Sequence, residues 1–294
     1  MPRGIDHIVI AVRDLDAARA TWRRLGFALT PVARHPFGTA NALVQLDGNY
    51  LELLAVADPK SIPEAGVGNF SFAAFNRDFL RKREGVTMLA LKSTDAAADR
   101  IEFEERGLPV FAPLNFERMA TGPDSIERKV AFSVTFTREP RLREAGFFTC
   151  QHHFPENFWR AEYQSHPNTA RRVASIVLVT RDPADFHEFV THLTGQHDML
   201  STSLGVGFDT GAGTIEIVSP IGYRAWFGES PEADPRRFLA CRIAVADLAA
   251  TRRTLEGNGV PFSERMGALV VPAGAAHGVA IAFVNDGASS GSGT

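Results

Sequence analysis

The first strong signal along the chain is an alternation. In "HIVIAV" (7–12), Ile8, Ile10 and Val12 make one bulky apolar row; His7, Val9 and Ala11 make the other. Successive strand side chains point to opposite faces, so this is a buried strand with one histidine on its second row. Asp14 follows, then an amphipathic stretch that ends in "LGF". The aspartate suits a helix N-cap and the glycine a left-handed C-terminal turn. The same line returns at "VASIVLVTRDPADFHEFV", with Ser175 in place of His7 and Asp182 at the cap. Weaker copies begin at Val86 and Phe238, with caps at Asp95 and Asp247.

Each strand–helix start is followed by further strand candidates. They are "FALTPVA", "NALVQL" and "YLELLAV" in the first copy, and "PVFAPLNF", "KVAFSVTF" and "FFTCQHHF" in the second. The third copy ends in "TIEIVSP"; the fourth has "ALVVPAG" and "GVAIAFV". The repeat therefore reads βαβββ. It predicts an α+β fold of four βαβββ modules paired into two barrel-like domains, 1–165 and 166–286. A short helix is expected at 73–82 in the connector, and a disordered Gly/Ser-rich tail at 287–294. Pairing two modules closes two half-sheets around a cleft, a natural ligand site.

His7 faces that cleft by parity. In "YLELLAV", Glu52 shares a face with Tyr50 and Leu54. A buried carboxylate is costly without a metal, a cation or a proton, so His7 and Glu52 are candidate ligands of one metal. The third candidate lies in "FFTCQHHF", where adjacent His152 and His153 face opposite ways. The polar row of Thr149 and Gln151 favours His153, with His152 kept open. Two imidazoles and a carboxylate suit Fe, Mn, Ni, Co or Zn. His35, in a Pro/Gly-rich turn, is a candidate proton-transfer residue at the cleft rim. Asn41 and Gln45 are weaker cleft candidates, Arg34 is a possible partner of Glu52, and His166 reads as linker or surface. Glu216 matches Glu52 in the third copy, but Ser175 and Ala240 replace the histidine, so the second cleft is expected to be degenerate.

Composition narrows the partners. The chain has 294 residues, 45% of them hydrophobic, and a net charge of −3, without a long basic run. Nucleic acid and anionic membrane are poor partners for it; a small-molecule substrate is expected, with a homodimer left open. No apolar stretch approaches the roughly 20 residues that span a bilayer, and no signal peptide is expected. Cys150 and Cys241 make no disulfide framework, so a reduced, cytoplasmic setting is the default.

The "DHIVIAVRDLDAA" opening, "LGF" after the helix and "YLELLAV" closing the module resemble the vicinal oxygen chelate superfamily. That superfamily includes glyoxalase I, extradiol ring-cleaving dioxygenases, fosfomycin-resistance enzymes and bleomycin-binding proteins, and the first module is most similar to its glyoxalase-like branch. The resemblance covers nearly the whole chain as repeats, and is specific at motif level over the first ~55 residues. It implies a metal held from the first and last strands of paired modules, here His7, Glu52 and His153 or His152. Where the family draws a fourth ligand, this sequence has Met88. The implied activity is lyase or isomerase chemistry on a substrate that chelates the metal through adjacent oxygens. The alternatives are extradiol-type ring cleavage and metal-free binding of a small molecule or drug.

Overall fold

The computed structural model describes residues 2–122 and 124–287; most of the expected tail, 288–294, lies outside the described residues. The first module runs β1 (Ile5–Ala11), α1 (Leu15–Arg24), β2 (Ala33–Arg34), β3 (Thr39–Gln45) and β4 (Tyr50–Val56). The connector helix α2 (Phe72–Leu80) leads into β5 (Gly85–Ser93), α3 (Ala96–Glu105), β6 (Leu114–Thr121), β7 (Glu127–Thr137) and β8 (Gly146–His152). After α4 (Pro155–Phe158), the third module is β9 (Ala170–Val179), α5 (His187–Thr194), β10 (Leu200–Thr202), β11 (Gly205–Asp209) and β12 (Thr214–Val218). Helix α6 (Pro220–Phe227) precedes β13 (Arg237–Val245), α7 (Leu248–Gly257), β14 (Ser263–Arg265), β15 (Ala268–Val271) and β16 (Ala280–Asn285).

The strands form two eight-stranded sheets of matching order, β2-β3-β4-β1-β5-β8-β7-β6 and β10-β11-β12-β9-β13-β16-β15-β14. In each, the first strands of two modules pair antiparallel at the centre, and each lies parallel to the last strand of its own module. These are the paired βαβββ modules read from the repeats. The first sheet curls until its ends approach: Phe116 on edge strand β6 packs against Phe37, beside the opposite edge, at 5.2 Å between ring centroids.

The two rows of β1 go to different cores. Ile8 and Ile10 join a layer with helix residues Trp22 and Phe103, and this layer continues into the second sheet through Ile176 and Leu178. Phe147 meets both Phe189 and Phe238 there, at 4.9 and 5.6 Å. The inner face of the first sheet is a separate, aromatic-rich core that includes Val9, Tyr50, Met88, Phe132, Phe136 and Phe148.

Several sequence expectations need correction. "FALTPVA" forms a strand only at Ala33–Arg34, because Pro31 has no N–H to give to a ladder. The second-module strand begins at Leu114, after Pro113, and runs on to Thr121. The third and fourth modules gain β10, β11 and β14; β10 and β14 are short and wholly exposed, so they carry no alternation. Asp14, Asp95 and Asp247 accept cap hydrogen bonds from backbone N–H groups, but Asp182 makes none and pairs with Arg181 instead. His166 is not a surface residue. It is buried, accepting from the Ala28 N–H at 3.0 Å and donating to the Gln45 carbonyl at 2.8 Å. Among the described residues, no helix is long and apolar enough to cross a membrane.

Candidate active site

The parallel pairing of β1 with β4 sets Tyr50 beside His7 and Glu52 beside Val9. His7 and Glu52 are therefore diagonal neighbours on one face. His7 stacks on Tyr50 at 4.3 Å, and its Nε2 lies 3.7 Å from Glu52 Oε2. Both side chains are buried, at 3% and 4% exposure. Asn41 on β3 donates to Glu52 Oε1 at 2.6 Å, and its own Oδ1 has no partner. Glu52 thus finds an amide and two imidazoles, not Arg34.

His35 leaves its turn and points inward. Its Nδ1 bonds with Thr39 Oγ1 at 2.8 Å, and its Nε2 lies 3.3 Å from Asn41 Nδ2 and 3.9 Å from Glu52 Oε1. Burial, then the charges of Arg118 and His7, push its pKa down to about 3. His35 is therefore neutral near pH 7. With Asn41 donating to Nε2, the Nε2 lone pair is taken up by the amide beside the carboxylate. A pKa so far from neutrality is poorly matched to proton transfer near pH 7.

The structure adds a residue that the alternation hides. Between Ile5 and His7 the pairing of β1 with β5 shifts register. In a regular strand Asp6 would face away from His7; the irregularity brings its carboxylate round to the same side. Asp6 Oδ2 takes His7 Nδ1 at 2.7 Å and His152 Nε2 at 3.2 Å. Burial alone would raise the Asp6 carboxyl. The nearby charge of His152 and the hydrogen bonds from His152 and His7 overcome it and hold the group well below the usual carboxylate range. An ionised Asp6 makes His7 Nδ1 the donor. His7 Nε2 lies toward Glu52 Oε2 at 3.7 Å, and a buried carboxylate beside a ring nitrogen calls for a cation or a proton between them.

The remaining candidates separate. His153 points away from the cleft, exposed and bonded to Ser133 Oγ at 2.8 Å. The preference for His153 on polar parity is thus corrected. Phe148 and Cys150 line the cleft, whereas Gln151 turns to the helix side and bonds the Thr94 carbonyl. His152 shares the inner row of β8, yet it bonds to Asp6 behind His7 and does not approach Glu52. Among the described residues, Asp6, His7 and Cys150 form the one tight cluster of potential ligands, with donor atoms within 4.8 Å of one another. That cluster suits a metal poorly: Asp6 is engaged by two imidazoles, and burial, then the charges of Asp6 and Glu52, pushes the Cys150 thiol well up. Met88, at the family's fourth-ligand place, is buried in the inner core.

The pair sits at the floor of a cavity of about 470 Å³, whose wall includes seven phenylalanines, with Tyr50 and Cys150 beside them and Arg118 at its outer side. Arg118 was not singled out from the sequence. On β6, Leu114, Phe116 and Arg118 alternate inward, half-buried, against exposed Asn115, Glu117 and Met119. That rhythm was the available signal.

The second sheet carries the same frame in closed form. Ser175 donates to Glu216 Oε2 at 2.9 Å, and Arg242 from the neighbouring strand lies 3.2 Å from the same oxygen, its guanidinium over the Trp226 ring. Ser175 stands where the first sheet has His7, and Arg242, opposite it where the first sheet has Ala90, meets the glutamate.

A family model described as a glyoxalase-like domain matches residues 5–194, more than half of the chain. The chain belongs to that family. The match covers the whole first sheet, and with it every residue of the His7–Glu52 site. None of the curated proteins compared by sequence matches this glyoxalase-like chain. Among solved structures, a Staphylococcus aureus protein described as hypothetical is similar over 97% of this chain and 100% of its own, at 13% identity and a TM-score of 0.69. A fusion protein of a xylose isomerase-like TIM barrel and 4-hydroxyphenylpyruvate dioxygenase matches 99% of this chain with 51% of its own, at 14% identity and TM-score 0.59. A mutant of 4-hydroxymandelate synthase from Streptomyces coelicolor matches over 96% and 92%, at 11% identity and TM-score 0.55. At such identities the likeness speaks for the fold. Family and fold together place this glyoxalase-like protein in the vicinal oxygen chelate superfamily.

Proposed function

We propose that this protein is a metal-dependent vicinal oxygen chelate enzyme of glyoxalase-like type, whose first cleft takes a small substrate through two adjacent oxygens. The observation that carries the reading is His7 Nε2 lying 3.7 Å from Glu52 Oε2, with Asp6 fixed behind His7 at 2.7 Å. A carboxylate on the far nitrogen is the usual support of a metal-binding histidine. His7, Glu52 and His35 are the residues that would hold the ion. When bound, a divalent metal supplies Lewis acidity, stabilising an enolate, catecholate or similar oxyanion.

The chain's own residues do the rest. Asn41 orients the Glu52 carboxylate. Asp6 sets the His7 tautomer. Tyr50 and Cys150, whose protons burial holds firmly, are neutral hydrogen donors in the wall. The phenylalanines exclude water and select a compact apolar or ring-bearing substrate.

Metal analysis of protein purified without chelators tests this. We expect near-stoichiometric divalent metal, lost in His7→Ala and Glu52→Ala. No metal uptake, with all variants still binding a small ligand, would instead identify a metal-free binding protein. The aromatic lining favours a second reading, extradiol-type ring cleavage. Oxygen consumption with a catechol panel by the iron-loaded protein separates it from lyase or isomerase chemistry.

A further inference from the structure

Outside the His7–Glu52 cavity lies a second hollow of about 920 Å³. Leu43, Arg118 and Phe158 line both spaces, so the outer one is the vestibule of the inner one. Three arginines, Arg34, Arg118 and Arg160, line the vestibule, and no carboxylate does. Among the described residues none of the three makes an ion pair, although most other arginines of the chain do. Arg34 feels Asp58, and Arg118 feels Glu52 and Tyr50, only at longer range. Arg118 is the telling one. Its Nε is buried without a partner, and its Nη1 has only the adjacent Met119 carbonyl at 3.4 Å. A half-buried guanidinium with free donors, aimed at the passage between two cavities, is costly unless something anionic completes it.

We propose that the vestibule is an anion-binding subsite, in which Arg118 and Arg160, with Arg34 at the rim, seat a carboxylate or phosphoryl group of the substrate. The guanidinium fork suits both groups, since each offers paired oxygens. The anion would anchor one end of the substrate while its apolar, reacting end passes Phe158 into the inner cavity. This deepens the proposed function by naming a substrate class: a small apolar or ring-bearing molecule carrying an acidic substituent.

Titration calorimetry of the full chain tests the subsite with two probes, inorganic pyrophosphate and malonate. We expect saturable binding of at least one, and the tighter probe tells phosphoryl from carboxylate preference. Arg118→Met and Arg160→Met should each weaken it about 10- to 100-fold, as expected for losing a hydrogen bond to a charged group. Arg160→Met keeps the test valid if Arg118→Met fails to fold. No saturable binding of either probe, or affinities untouched by both arginine variants, overturns the subsite. The metal measurement is separate: metal bound without anion binding sinks only the vestibule, and anion binding without metal sinks only the metal-dependent reading.

Discussion

At the scale of single residues, Asp6 decides how His7 can act. By accepting from Nδ1 it holds the ring with Nε2 toward Glu52. Replacing it with asparagine removes the charge and unfixes the tautomer. Asp6→Asn is therefore expected to weaken divalent metal binding about 10- to 100-fold, read by competition with a chelator dye, with the fold kept. An unchanged affinity would mean that His7 does not depend on the carboxylate behind it. His7 and Glu52 were legible in the sequence, as polar residues on the inner rows of apolar strands. Asp6 was not, because only a register shift in β1 brings two consecutive residues to one side. The choice between His152 and His153 went the wrong way for a related reason. Thr149 and Gln151 look like a polar cleft face, but the Thr149 side chain is fully buried and Gln151 bonds to the start of α3.

At the scale of elements, the four strand–helix starts are alike in sequence and unequal in cap chemistry. Asp247 accepts from the Ala250 N–H at 2.9 Å, whereas the Asp182 carboxylate accepts no cap hydrogen bond. Asp247→Ala should cost about 1 kcal/mol of stability, and Asp182→Ala a few tenths at most, compared by chemical denaturation. Equal costs would contradict the assignment of caps. The helix-ending glycine of "LGF", Gly26, has the expected positive φ of 87°, and Gly107 and Gly259 end their helices the same way, at 74° and 62°. The second sheet repeats the elements of the first with other chemistry at the same places. Burial raises the Glu216 carboxyl, and Arg242 and Ser175 oppose that, so this glutamate has a cation beside it where Glu52 faces imidazole nitrogens.

At the scale of the whole molecule, the segment joining the two sheets is fastened to the first module. His166 bridges Ala28 and Gln45, Asn168 donates to the Leu25 carbonyl, and Val173 N–H donates to Asn49. Burial lowers the His166 pKa, only partly offset by its bond to Gln45. Below its unfolded-state pKa, the unfolded chain takes up a proton that the native site resists. The contribution is therefore complete above about pH 6.5 and is lost as the pH falls below it. His166→Gln should be less stable by about 1–3 kcal/mol at neutral pH, from two lost hydrogen bonds. It should also lose less stability than the parent between about pH 7.5 and pH 5, because His35 titrates in both proteins. Parallel stability–pH curves would refute the buried role of His166.

The sequence by itself determined the repeat, the module, the pairing of modules into two sheets, and His7, Glu52 and His35 as candidates for the site. Those follow from periodicity and from cap and turn chemistry, which act within a few residues along the chain. Only the tertiary structure decided the rest: Asp6 behind His7, His35 and Asn41 on Glu52, His153 outside the cleft, and Arg118 at the passage to the vestibule. Each depends on a register, an irregularity or an edge-to-edge approach between strands far apart in sequence. Such contacts are fixed by how the whole sheet curls, and no local pattern records that.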